Sequence, residues 1–179
     1  MKYSYQEAYD NISIWTDSDW AGERSERKST SGGVIMLGSH CVKTWSSTQK
    51  TVALSSGEAE YLAMVKGGSI GLGIRSMLSD FNIETITKLI IKVDSTAAIG
   101  IASRRGLGKV RHIDVADLWL QDRVHRGEMV IAKVPGEARL ADGLTKYLDK
   151  KKLEHHIEST QQIILEGRHH LSVTMTSDQ

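Results

Sequence analysis

Lys88-Leu89-Ile90-Ile91-Lys92-Val93-Asp94 is rich in β-branched residues and ends on an acid, and it reads as a buried strand. What precedes it decides the topology. Ala59, Ala63, Ile70, Ile74, Met77 and Phe81 recur at three- and four-residue steps with one wider gap, which predicts one buried face of a helix. Ser55 and Glu58 fit the S-x-x-E capping box at its start. Gly67, Gly68, Gly71 and Gly73 each weaken that helix by roughly 1 kcal/mol relative to alanine. Close packing on a sheet would account for them, and so would a break in the helix.

Further upstream, Ile12-Ser13-Ile14-Trp15-Thr16-Asp17 alternates apolar and polar residues as a strand does. Gly33 to Leu37 is an apolar run of strand length, Gly38-Ser39 marks a tight turn, and Cys41 to Trp45 alternates again. Short turns predict an antiparallel meander for these three. A strand, a helix and a further strand then predict a parallel, right-handed crossover. Downstream, a short helix is expected over Thr96–Ala102, followed by a basic loop and a helix from about Asp114 to Arg126 that Gly127 ends. Met129 to Val134 is the fifth strand, stopped by Pro135-Gly136. Helix is expected again from about Ala138 to Leu148, and an amphipathic stretch from Lys151 to about Leu165. The fold class is α/β: a mixed five-stranded sheet, three antiparallel strands then parallel crossovers, flanked by helices. Residues 1–11 read as an N-terminal extension, 12–148 as the domain, 149–166 as an extra C-terminal helix and 167–179 as a poorly ordered tail.

A chain of 179 residues suits one domain with a terminal element. Its 40% hydrophobic and 25% charged residues are those of an ordinary soluble protein. No apolar run approaches the roughly 18 to 20 residues of a membrane span. The first residues lack the apolar stretch of a secretory signal. The single cysteine, Cys41, excludes an internal disulfide and a CxxC zinc site, and fits a reducing compartment. An intracellular location is therefore expected. The net charge of +1 announces no partner, although Arg24, Arg27 and Lys28, and Arg104, Arg105, Lys109 and Arg111, form local basic clusters. Such runs are more often solvated loops than binding patches. Phosphate contacts need only a local cluster, so near-neutrality does not exclude nucleic acid.

Asp17 and Asp94 close strands, and an open α/β sheet builds its sites at strand ends. Glu60 falls in the first turns of the helix after the third strand, and Asp142 in the first turns of the helix expected after the fifth. Taken singly, each is better explained by turn or helix-end chemistry. Converging, four carboxylates would raise one another's pKa values and would need cations to neutralise them. Oxygen ligands without histidine or cysteine favour Mg²⁺ or Mn²⁺ over zinc. Paired ions about 4 Å apart can activate a water and stabilise the leaving oxygen of a phosphodiester.

Several segments carry a family resemblance. Thr16-Asp17-Ser18-Asp19-Trp20-Ala21-Gly22 with Arg27-Lys28-Ser29-Thr30-Ser31-Gly32-Gly33 resembles the start of the ribonuclease H domain in copia-type LTR retrotransposon polyproteins. Val52-Ala53-Leu54-Ser55-Ser56-Gly57-Glu58-Ala59-Glu60-Tyr61-Leu62-Ala63 resembles the same family. Val93-Asp94-Ser95, Arg111-His112-Ile113-Asp114 and Leu140-Ala141-Asp142-Gly143-Leu144-Thr145-Lys146 follow in its order, so the likeness covers roughly Ile12 to Leu148.

The resemblance implies a ribonuclease H fold and endonucleolytic cleavage of RNA in RNA–DNA hybrids, with two Mg²⁺ or Mn²⁺ ions as cofactors. It implies Asp17, Glu60, Asp94 and Asp142 as catalytic and metal-binding residues, choosing Asp17 over Asp19. Periodicity leaves Glu58 and Glu60 open; capping gives Glu58 another task, and the resemblance matches Glu60. Cellular enzymes of this kind carry a histidine shortly before the last aspartate, but Val134 to Asp142 holds none. His112 is a possible auxiliary, with helix capping the competing reading.

A hybrid is read through its backbone, groove shape and 2′-hydroxyls. Ser18, Ser55 and Ser56 are candidates for polar contacts, and Arg27, Lys28 and Lys50 for DNA-strand phosphates. Trp45 is a candidate to stack on a sugar, an inward core position being the safer reading. Reverse transcriptase regions of the same polyprotein are the expected protein partner. Two other readings compete. An integrase or transposase core would order its acids Asp, Asp, Glu, unlike this chain. A non-catalytic ribonuclease H-like module would support a reverse transcriptase or be a domesticated remnant.

Overall fold

The computed structural model describes residues 5–7, 9–23, 25–83, 88–108, 113–135 and 140–161. His112, Lys109, Arg111, Arg24 and the tail from 167 onward lie outside them, as do the last residues of the expected C-terminal helix.

Strands β1 (Asn11–Asp19), β2 (Thr30–Leu37) and β3 (His40–Thr48) form the antiparallel meander. Helix α1 (Ser56–Asp80) crosses to β4 (Lys88–Val93), which pairs parallel to β1. Helix α2 (Thr96–Ser103), a 3-10 turn (Val115–Leu118) and helix α3 (Trp119–His125) lead to β5 (Met129–Lys133), parallel to β4. The sheet order is β3-β2-β1-β4-β5. Helix α4 (Lys150–Ser159) follows a 3-10 turn at Asp142–Leu144.

Period-two alternation splits the sheet into two faces. Ile12 and Ile14 of β1, Ile35 and Leu37 of β2, and Leu89, Ile91 and Val93 of β4 pack with Tyr61, Met64, Leu120 and Met129 in the main core. On the other face Val34, Met36 and Cys41 pack with Trp15, Leu140 and Leu144. Asp17 shares the parity of Trp15 and so faces the 140–146 segment.

The glycines of α1 resolve in favour of close packing, because the helix runs unbroken. A Cβ on Gly67 would lie 2.6 Å from Thr16 Cγ2, and one on Gly71 2.4 Å from Ile14 Cδ1. Gly73 has nothing within 4 Å of that position.

Three expectations need correction. The apolar stripe of α1 does not stay buried: Met77 is 51% and Phe81 69% exposed, because the helix outruns the sheet that covers its first half. The segment from Asp114 opens as 3-10 and becomes α-helical only at Trp119, with the Tyr61 hydroxyl donating to the Asp117 carbonyl. The helix expected from Ala138 to Leu148 is, in its described part, a short 3-10 turn. Leu144 N–H donates to Ala141, Thr145 N–H to Asp142, and the Thr145 hydroxyl also to the Asp142 carbonyl. Gly143 and a β-branched threonine that bonds its own backbone both disfavour propagation into an α-helix.

Candidate metal centre

The β1–β4 register pairs Trp15 with Lys92, and extending it by two residues sets Asp17 opposite Asp94. The crossover also lays the first turns of α1 against the end of β1, where the Ser18 N–H donates to Glu60 Oε1 at 3.3 Å. Asp17, Glu60 and Asp94 each offer a carboxylate oxygen, and these atoms lie within 4.8 Å of one another. Asp17 is 1% and Glu60 9% exposed.

Burial, then the charges of Asp17 and Asp94, push the Glu60 carboxyl up to about 8. Asp17 is also raised, by burial first, against the opposing hydrogen bond from Thr145 and the charge of Lys146. Glu60 Oε2 is buried with no hydrogen-bond partner among the described residues. A buried carboxylate oxygen without a donor, beside two further acids, is the coordination environment a hard divalent cation satisfies. The residues therefore fit Mg²⁺ or Mn²⁺, and their all-oxygen donor set does not favour zinc.

Asp142 is not among the three converging acids; it connects to them through Lys146. The Lys146 ammonium lies 2.8 Å from Asp142 Oδ1 and 3.3 Å from Asp17 Oδ2. Burial works against its charge, but the hydrogen bond to Asp142 and the charges of Asp17 and Asp142 outweigh that and hold its pKa above the ordinary value. Thr145 donates its hydroxyl to the same Asp17 Oδ2. Gly32, which faces Asp17 across β1–β2, makes this approach possible: a Cβ there would lie 2.8 Å from Thr145 Cγ2.

Sequence reasoning gave none of Gly32, Thr145 and Lys146 a role, although all three stood inside segments that carried the resemblance. It also missed His156, whose ring on α4 lies 3.6 Å from a Cβ placed on Gly143, next to Asp142. No local signal could have linked residues so distant in sequence.

The two rival acids have other occupations. Asp19 turns over Gly22, where a Cβ would lie 1.7 Å from its Oδ2. Glu58 is 3% exposed and accepts from the Leu54 N–H at 2.8 Å, while the Ser55 hydroxyl accepts from Glu58 N–H at 3.2 Å. The glutamate thus reaches one residue beyond the cap itself.

The residues expected to contact substrate differ in exposure. Ser18 is buried, and its hydroxyl has no partner among the described residues. Ser55 and Ser56 stand exposed at the start of α1. Arg27 is exposed in a left-handed backbone conformation (φ 57°), Lys28 pairs with Glu26, and Lys50 is exposed. Trp45, half-buried, packs against the main core over Gly33.

Comparison with known proteins agrees with this geometry. No family model matches the chain. It is 29% identical over 141 residues to the retrovirus-related Pol polyprotein of transposon TNT 1-94 from Nicotiana tabacum. It is 28% identical over 146 residues to that of transposon RE1 from Arabidopsis thaliana. These alignments cover 78% and 81% of the chain, which spans about a tenth (10%) of each relative's length. Among solved structures, the N-terminal ribonuclease H domain of a Mycobacterium tuberculosis protein superposes with a TM-score of 0.52 at 18% identity. That match covers 84% of this chain and 99% of the other. Sheet order and solved structures agree on the fold, and the sequence relatives agree with both: the chain has a ribonuclease H fold and is similar to a segment of retrovirus-related Pol polyproteins of plant transposons.

Proposed function

We propose that the chain is a divalent-metal-dependent endonuclease that cleaves the RNA strand of RNA–DNA hybrids formed when a retrotransposon is copied, inside the cell. The observation that carries this reading is the convergence of buried Asp17 and Glu60 with half-buried Asp94 around Glu60 Oε2, which has no hydrogen-bond partner among the described residues. These three residues would hold Mg²⁺ or Mn²⁺, with Asp142 as a fourth carboxylate. Bound ions of that kind, two in the full reaction, supply an activated water and charge stabilisation at the leaving oxygen.

The chain's own groups prepare that chemistry. Ser18 N–H fixes one oxygen of Glu60, and Thr145 fixes one oxygen of Asp17. Burial of both acids excludes water from their inner sides. Ser55 and Ser56, exposed at the N-terminus of α1, are suited to a sugar or phosphate oxygen. Arg27 and Lys50 supply exposed positive charge for the DNA strand, and half-buried Lys28 would join them on leaving Glu26. Reverse transcriptase regions of the same polyprotein would extend the grip.

A second reading is favoured by Lys146. Its ammonium partly neutralises the acids without any metal, as a non-catalytic module requires. A labelled hybrid incubated with Mg²⁺ or Mn²⁺ separates the two. The expected result is cutting of RNA only, lost with chelator and lost in Asp94→Asn. Equal cutting by both proteins sinks the site assignment, and no cutting by either establishes the non-catalytic module.

A further inference from the structure

We propose that Gln49 and Lys66 are positioning residues that together fix the roll of α1 about its axis, and so the place where Glu60 stands. The proposal rests on the reading that Asp17, Glu60 and Asp94 bind metal.

Residues seven apart return to nearly the same side of an α-helix after two turns. Glu60 and Gly67 share the side of α1 that meets β1. There the Ser18 N–H donates to Glu60 Oε1, and a Cβ on Gly67 would lie 2.6 Å from Thr16 Cγ2. Ala59 and Lys66 share the neighbouring side, which meets the end of β3. There the side-chain amide of Gln49, the residue after β3, donates to the Ala59 carbonyl at 2.8 Å. Two turns further along, Lys66 Nζ donates to the Ser47 hydroxyl of β3.

The close approach at Gly67 is a van der Waals contact, which limits distance but has little hold on rotation. Hydrogen bonds are directional, and two of them spaced along the helix oppose a roll. A helix with its side chains is about 10–12 Å across, so a roll of ~10° would carry the Glu60 carboxyl by about 1 Å. That displacement is large for a cation that demands near-ideal octahedral geometry.

The grip of Gln49 is built into the sheet. The residue is 8% exposed, its amide also donates to the Ser31 hydroxyl at 2.8 Å, and its backbone N–H donates to the Ser29 carbonyl at 2.8 Å. Ser31 pairs across β1–β2 with Ser18, whose N–H holds Glu60. One amide therefore holds both the carbonyl that precedes Glu60 and the strand residue opposite Ser18. A side chain that only filled space there would not need to bury two donors.

The test is the affinity of the full chain for Mn²⁺, read by calorimetry and by electron paramagnetic resonance of the unbound ion. It needs no turnover. Gln49→Met and Lys66→Met should each bind Mn²⁺ about 10-fold more weakly than wild type, and Lys66→Arg, which keeps a donor, as wild type does. Gln121→Leu is the control: it breaks a similar amide clamp, from α3 to the Ile101 and Gly106 carbonyls, and should keep wild-type affinity. No Mn²⁺ bound by wild type removes the metal reading itself. Wild-type affinity in Gln49→Met or in Lys66→Met overturns the positioning role and leaves the metal reading intact. Equal weakening in Gln121→Leu also overturns it, because affinity would then follow stability alone. Should Gln49→Met not fold, Lys66→Met, at a half-buried side chain, decides by the same criterion.

Discussion

Replacing Glu60 by glutamine should change how the metal-free domain responds to pH, and the size of the change follows from the burial of that carboxyl. Its pKa is raised from an ordinary 4.5 to about 8, by burial first and then by Asp17 and Asp94. A carboxyl that keeps its proton in the fold longer than in the unfolded chain costs nothing below pH 4.5. Its cost grows as pH rises from 4.5 to 8 and is complete above that. At 1.36 kcal/mol per unit, wild type should lose roughly 3 kcal/mol between pH 5.5 and 8.5 from this group. Asp17, also raised, adds in the same direction.

Glutamine cannot ionise, and its amide can donate to the neighbouring acids. Glu60→Gln should therefore lose about 3 kcal/mol less than wild type over the same window. Urea unfolding of both proteins in chelator at the two pH values measures this. Parallel losses in the two proteins would refute the reasoning, because they would mean that Glu60 titrates as it does in the unfolded chain. Saturating Mg²⁺ should reduce the wild-type loss, since a bound cation favours the ionised carboxylate.

Two further substitutions test the packing that sets the centre. Gly67→Ala should destabilise by about 1–3 kcal/mol, because its Cβ would press on Thr16 and Ile14, whereas Gly73→Ala, facing open space, should stabilise by about 0.5–1 kcal/mol; equal effects in urea unfolding would contradict the close approach of α1 to β1. Gln121→Leu should cost about 2 kcal/mol or more, since the Gln121 amide bonds the Ile101 and Gly106 carbonyls and accepts from the Gly106 N–H; a neutral result would show that water replaces it.

The sheet was legible because its signals are local. Alternation in Ile12 to Asp17, β-branching in Lys88 to Val93 and short turns between the first three strands are written in adjacent residues. Those same signals set Asp17 beside Asp94, since the crossover made their strands neighbours. The glycines of α1 could not be interpreted until Ile14 and Thr16 were seen against them. The stripe through Met77 and Phe81 misled because periodicity records which face is apolar, not how far the sheet extends beneath it.

The turn at Asp142 was misread as a helix because its decisive contacts are tertiary. Thr145 and Lys146 reach Asp17 across more than 120 residues of sequence, with |i−j| of 128 for Thr145. Polar residues in such a turn carry no periodic mark. The placement of Asp142 is consequently the part of the centre that structure added: it meets the other acids through an ammonium.

The central claim is that Asp17, Glu60 and Asp94 hold a divalent cation. Anomalous diffraction from crystals of the domain grown with Mn²⁺ tests it most directly. The expected result is a peak coordinated by oxygens of these three carboxylates, and its loss in Asp94→Asn. A peak elsewhere, or an empty cluster at Mn²⁺ concentrations that support hybrid cleavage, would contradict it.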